Sequence, residues 1–310
     1  MSTDDNNKDD IPPDICANCG KGEEGGMSLK ACTACKLVKY CKRECQIAHR
    51  PQHKKACKKR AKELHEEALF KEVEPVDCPI CFLRMPTLIS GSKYMQCCGK
   101  MICCGCILAP VYDNEGNVVA DTCPFCRILP PKTDKEAIER LNKRVELNDP
   151  EAMNTLGLYY TQGEYGRYRL PKDYEKTLEL WHQAGELGNA EAYYNIGCAY
   201  YHGEGVELDK KKAIHYWELA AMKGHVEARH NFGVMEWQAG NMNRALKHLM
   251  YAVKSGGNKS LGTIRKMVTN GHATKNDYTK ALRAYQTYLD EIKSSQRDKA
   301  AAENDDCKYY

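Results

Sequence analysis

The sequence predicts two small cysteine-rich modules followed by an all-α solenoid of stacked helix pairs. Three observations predict it. Between Cys16 and Cys57 eight soft donors follow the spacing C-x2-C-x12-C-x2-C-x5-C-x3-C-x7-H-x3-C. Between Cys78 and Cys126 lies a second set of close cysteine pairs. From Asp149 onward one segment recurs, as DPEAMNTLG (149–157), NAEAYYNIG (189–197) and HVEARHNFG (225–233).

The 310-residue chain carries 18 cysteines, and only Cys198 and Cys307 lie beyond Cys126. It opens MSTDDNNKDD, without an apolar leader, and no apolar run approaches the ~20 residues of a membrane helix. Zinc thiolates in a reducing intracellular compartment, cytoplasmic or nuclear, are therefore expected rather than secreted disulfides. The formal net charge of +4 counts cysteines as neutral. Fifteen ligand thiolates remove fifteen charges and four Zn²⁺ ions restore eight, which leaves −3. The composition-level case for a nucleic-acid partner disappears with that correction. A basic stretch from Lys36 to Lys62 holds eleven Lys/Arg against the single Glu44, and much of it offsets the zinc–thiolate charge.

Residues 1–14 read as a disordered acidic tail. The first module, 15–58, contains Cys16, Cys19, Cys32, Cys35, Cys41, Cys45, His53 and Cys57. Eight such donors suit two tetrahedral zinc sites, and a zinc with four protein ligands has no open position for water or substrate. Both are therefore structural. This array resembles a MYND-type zinc finger, down to the Cys45-Gln46, His53-Lys54 and Cys57 ending. The resemblance implies interleaved ligation, with Cys16, Cys19, Cys41 and Cys45 on one zinc and Cys32, Cys35, His53 and Cys57 on the other. It also implies a groove for short proline-containing peptides, although Arg50 stands where such grooves often place tryptophan. His49 is out of the ligand register and is expected as an exposed helix residue. Residues 59–76 form a helical linker, with Leu64, Ala68 and Leu69 at helical spacing and Glu74-Pro75 as its end.

The second module, 77–128, reads Cys78-Pro-Ile-Cys81, then Cys97-Cys98, then Cys103 and Cys106, then Cys123-Pro-Phe-Cys126. Its layout resembles a RING finger, with Lys100 where a histidine ligand is usual. Lysine is protonated at neutral pH and offers no lone pair. Adjacent Cys97 and Cys98 replace it, with Cys104 the alternative. Cross-brace pairing then implies Cys78, Cys81, Cys103 and Cys106 on one zinc and Cys97, Cys98, Cys123 and Cys126 on the other, four zincs per chain in all. The RING resemblance also implies a ubiquitin-loaded E2 enzyme as partner, contacted by Ile80 and Pro124. Arg127 would be the positive linchpin between E2 and ubiquitin.

Pro130-Pro131 ends the module, and a helix over 132–148 caps the repeat region, opened by a Thr133/Glu136 capping box. Residues 149–296 are repeats of 40, 36 and 32 residues plus a degenerate fourth. Thr177, Ala213 and Ala245 are each followed seven residues later by Ala184, Ala220 and Ala252, and in the fourth unit Tyr288 follows Ala281. Gly157, Gly197 and Gly233 allow close helix approach, and glycines 188, 224 and 256 end each second helix. Such pairs bury their apolar faces only by stacking. IGCAYYHGEGVELDKKKAIHYWELAAMKG (196–224) resembles the Sel1-like repeat, a relative of the tetratricopeptide repeat. Residues 297–310 are expected as a C-terminal tail.

No phosphate loop, acid/base pair or Ser-His-Asp order appears, and neither a membrane nor a small-molecule substrate is expected. His202, His215, His225, His230, His248 and His272 lack cysteine partners and are expected on the surface or groove. Cys198 is expected as a small buried hydrophobe, and the recurring tyrosines (Tyr159, Tyr193 and Tyr200 among them) as packing residues. The order of the three modules resembles algal, diatom-type proteins. The expectation is a zinc-binding adaptor whose solenoid or first finger takes a protein client while the RING-like module recruits an E2. A non-catalytic scaffold is the alternative.

Overall fold

The computed structural model describes residues 14–23, 28–87, 89–110, 115–118, 122–163 and 170–310. The expected disordered tail lies outside them, apart from Asp14. The chain divides into two compact units, Met1–Lys71 and Glu72–Tyr310.

The first unit has little to bury. Its core is Cys16, Cys32, Cys35, Tyr40 and Cys45, so sulfur replaces the aliphatic side chains of an ordinary interior. A minimal antiparallel pair, β1 (Lys30–Ala31) and β2 (Lys39–Tyr40), precedes α1 (Arg43–Leu69). The expected linker helix is the second half of α1, a single 27-residue helix that begins inside the finger. His53 and Cys57, one turn apart, face the same side of it.

In the second unit the cysteine module supplies an antiparallel hairpin, β3 (Ser92–Met95) and β4 (Lys100–Cys103), which runs into the short α2 (Cys104–Leu108). Helix α3 (Asp134–Glu146) follows. Thr133 caps it by accepting from the Glu136 amide at 3.2 Å. The Glu136 carboxylate accepts from the Lys132 amide, one residue earlier than the reciprocal bond of a capping box.

The helix pairs are α4 (Pro150–Gln162) with α5 (Tyr174–Glu186), α6 (Ala190–His202) with α7 (Lys210–Met222), α8 (Val226–Gln238) with α9 (Met242–Lys254), and α10 (Asn258–Thr269) with α11 (Lys275–Ile292). The recurring Asp/Asn residues are their caps. Asp149, Asp173, Asn189 and Asp209 each accept backbone N–H bonds at helix starts, and His225 does so through Nδ1. Glycines 188, 224 and 256 have φ of +111°, +90° and +95° just past the helix ends, a region that L side chains rarely enter. Inside each pair a glycine receives a large knob. A Cβ on Gly157 would lie 2.5 Å from Trp181, one on Gly197 2.3 Å from Trp217, and one on Gly233 2.6 Å from Leu249. The small residues seven apart, Ala184, Ala220 and Ala252, are completely buried.

Three expectations change. His248 is fully buried, stacked on Phe232 at 5.5 Å, because its repeat position faces the core rather than the groove. Cys198 is only half-buried. The expected tail is ordered: α12 (Ser295–Glu303), capped by Ser294, packs on α2, and the final segment buries Cys307 and Tyr309.

The second cysteine module touches the repeat array near both of its ends. At the first, Tyr94 donates to Asp149 Oδ2 at 2.6 Å and Arg144 donates to the Cys97 carbonyl at 3.1 Å. At the other, the Tyr288 hydroxyl accepts from the Thr87 amide at 2.9 Å, and Arg84 pairs with Glu291. Tyr288, the large residue in the degenerate repeat, thus has its own task.

Candidate metal centres

The local geometry that positions the ligands is one backbone device used four times. In four of the five C-x2-C pairs the residue after the second cysteine is left-handed and donates its amide to the first cysteine's carbonyl; the fifth, Cys103 and Cys106, spans the junction of β4 and α2 instead. The left-handed residues are Gly20, Lys36, Phe82 and Arg127, with φ of 72°, 57°, 56° and 63° and N···O distances of 2.9 Å throughout. Three of the four are not glycine. Such a turn points both sulfurs to one side and aims backbone amides at them.

Four groups of donor atoms result, each drawn together within 4.8 Å. They are Cys16, Cys19, Cys41 and Cys45; Cys32, Cys35, His53 and Cys57; Cys78, Cys81, Cys103 and Cys106; and Cys97, Cys98, Cys123 and Cys126. A zinc tetrahedron with ~2.3 Å metal–sulfur bonds has edges of about 3.8 Å. The sulfur pairs fit that figure: Cys19–Cys41 and Cys41–Cys45 at 3.6 Å, Cys32–Cys57 and Cys81–Cys103 at 3.8 Å, Cys78–Cys106 and Cys98–Cys123 at 3.9 Å. His53 turns Nε2 to the Cys35 sulfur at 3.1 Å. All these spacings exceed a disulfide bond, and four groups fit four zinc ions.

The thiols show why a cation belongs there. Burial pushes Cys16 up, yet backbone amides at Cys41, Cys19 and Asn18 bring it down to about 6. Cys32 also stands at about 6, burial being outweighed by the Cys35 amide and the His53 side chain. Cys78 is held at about 4, chiefly by a hydrogen bond from Cys103. In contrast, burial is the first cause that pushes Cys57 and Cys106 up to about 12 and Cys98 to about 11; neighbouring sulfurs add to it at Cys57, while the Cys103 side chain at Cys106 and the Lys100 amide at Cys98 partly offset it. Like charges that close do not all ionise without a counterion. The raised thiols release protons when they take a metal, so acid weakens metal holding and neutral pH favours it.

His49, expected to be simply exposed, is half-buried: its Nδ1 meets the Tyr40 hydroxyl at 3.1 Å and its ring stacks on His53 at 5.7 Å. It braces a ligand from behind. Cys104 is turned away from its neighbours' cluster, donating to the Ser90 carbonyl at 3.3 Å and packing with Ala300 and Cys307. Lys100 lies over the Phe125 ring at 5.9 Å, outside both groups. Metal analysis is expected to find four zincs per chain, three after Cys98→Ser and four after Cys104→Ser. Loss of a zinc on Cys104→Ser would make Cys104 a ligand instead.

Of the expected E2-contact residues, Ile80 is half-buried against the cysteine core. Pro124 lines a cleft of about 1730 Å³ whose other wall is the repeat array, with Ile128, Leu129, Tyr159, Tyr194 and Lys259. Arg127 is exposed. Sequence reasoning missed Arg297, which reaches the sulfur of Cys81. A basic residue in a polar terminal segment gives no signal of burial.

Comparison with known proteins matches residues 16–57 to the MYND finger, and 150–189 and 190–225 to the Sel1 repeat. Among solved structures, a Sel1 repeat protein from Oxalobacter formigenes is 25% identical, over 54% of this chain and 69% of that one, with a TM-score of 0.42. A protective antigen of uropathogenic Escherichia coli strains, displaying an SLR fold, is 23% identical over 56% of this chain and 38% of its own, with a TM-score of 0.43. An immunity protein from Pseudomonas aeruginosa is 14% identical over 52% and 63%, with a TM-score of 0.37. No described helix is long and apolar enough to cross a membrane.

Proposed function

We propose that this zinc-binding interaction adaptor is a RING-type ubiquitin ligase, recruiting E2~ubiquitin through residues 77–128 and a protein client through the repeats or the first finger. The observation that carries the reading is the cross-braced order of the two later clusters. The first and third cysteine pairs share one group and the second and fourth share the other. Both outer knuckles also present apolar surface: Phe82 is 76% exposed and Phe125 45% exposed, as a docking surface requires. In this reading catalysis is orientation of a thioester without a covalent step on the chain.

A second reading, a non-catalytic scaffold, is favoured by the wall opposite Pro124, which belongs to the chain's own repeats. A discharge assay separates the two. Purified protein is mixed with E2~ubiquitin and free lysine across an E2 panel. Under the ligase reading the wild type accelerates thioester loss and Arg127→Ala cuts that acceleration by about 10- to 100-fold. Alanine inherits the same left-handed backbone, so the comparison isolates the guanidinium. Ile80→Ala is expected to follow Arg127→Ala. No acceleration with any E2 leaves the scaffold.

A further inference from the structure

The C-terminal helix reaches the back of the third cluster. Arg297, in the first turn of α12, is 1% exposed. Its Nη1 donates to the carbonyls of Arg84 and Ile292, both at 2.7 Å. Its Nη2 donates to the Leu83 carbonyl at 3.3 Å and to the Cys81 sulfur at 3.6 Å. On its other side it lies against α2: a Cβ on Gly105 would be 2.9 Å from Arg297 Cγ and 3.0 Å from its amide nitrogen. The side chain therefore threads between the knuckle that carries Cys78 and Cys81 and the strand–helix junction that carries Cys103 and Cys106.

No carboxylate is among its partners in the described residues. A buried guanidinium without a counter-charge is costly. The negative charge in reach is the cluster itself, which with one Zn²⁺ and four thiolates carries a net charge of about −2. The acceptors at Cys81, Leu83 and Arg84 all belong to the first knuckle, which a zinc on Cys78, Cys81, Cys103 and Cys106 would hold against α2. Geometry and charge lead to the same conclusion.

We propose that Arg297 is an outer-sphere partner of the Cys78/Cys81/Cys103/Cys106 zinc, so that docking of the C-terminal helix and retention of that one zinc are coupled. Removing such a partner typically weakens metal holding by about 10- to 100-fold. The coupling is reciprocal: whatever α12 contributes to the zinc, the zinc contributes to α12. It requires no ubiquitin transfer.

The test uses the full zinc-loaded chain and a chromogenic chelator that counts released zinc. Arg297→Met is expected to release one of the four zincs about 10- to 100-fold faster than wild type, with the other three unchanged. Arg297→Lys, which keeps the charge but loses the fork, falls between. Equal release from Met, Lys and wild type overturns the proposal, as does uniform acceleration of all four zincs, which marks general destabilisation. A second arm needs no variant. Hydrogen exchange across α12 in wild type should rise as the chelator removes zinc, while α6 and α7 stay protected. Unchanged protection of α12 once all four zincs are gone overturns the proposal as well.

Discussion

A Cys35→Ser chain is expected to bind two zinc ions rather than four, and to lose the fold of its first unit while the repeat helices remain. One substitution removes two metals because the two ligand sets share everything else. Cys16 belongs to one group and Cys32 and Cys35 to the other, yet they pack with Tyr40 and Cys45 in a single core. Helix α1 supplies donors to both, Cys45 to the first and His53 and Cys57 to the second. A structural zinc contributes about 10–16 kcal/mol of apparent binding energy at neutral pH, as much as the whole stability of a typical domain. Among the described residues, the buried cluster of the finger holds only cysteines and Tyr40, with no fully buried aliphatic side chain in it to replace the metal. Metal analysis together with exchange across residues 28–69 checks the claim, and Cys16→Ser should behave alike. A count of three would mean that the two sites fold independently. The second cysteine module differs: Cys98→Ser should cost one zinc only, since Arg144, Tyr94 and Arg297 hold that module from outside.

The second large effect is in the repeats. Trp217 is 5% exposed, fills the notch at Gly197, and stacks near Tyr194 and Tyr201 at 6.4 and 5.1 Å. Trp217→Ala should destabilise by about 3–5 kcal/mol through the cavity it leaves. Gly197→Ala should cost about 1–3 kcal/mol, because the new methyl meets an indole ring. The pair is not independent. In the double variant the methyl occupies the space the indole has left, so the total should fall short of the sum by about 1 kcal/mol or more. Urea unfolding followed by helix signal measures all three. Additivity within about 0.5 kcal/mol would show that Trp217 is not what the glycine accommodates.

Much of this was legible in the sequence because metal and repeat both impose spacing. Four of the five C-x2-C pairs declare a turn, and glycines at 157, 197 and 233 declare the helix approach. The partners in that approach were less legible. Trp181, Trp217 and Leu249 share a repeat position, but the third unit has leucine where the first two have tryptophan. The sequence also presented most of α12 as tail, since it is polar, and polarity hides the face that buries Arg297 and Ala300. Arg297 was missed and His248 was placed outside for a related reason: a charged or titratable side chain is expected outside. Cys104 is the converse case, a plausible ligand by spacing that the turn into α2 points away from its neighbours.

The contacts at Asp149 and Tyr288 alter the thermodynamic character of the array between them. A linear stack of repeats frays, because each terminal pair has a single neighbour and opens first. With Tyr94 bonded near one terminus and Thr87 near the other, the cysteine module makes the two termini neighbours of a common body. The boundary condition then approaches that of a closed loop. Neither terminal pair is then expected to open first, since opening at either terminus strains the tie to the opposite one, and the array is expected to melt as a single cooperative body.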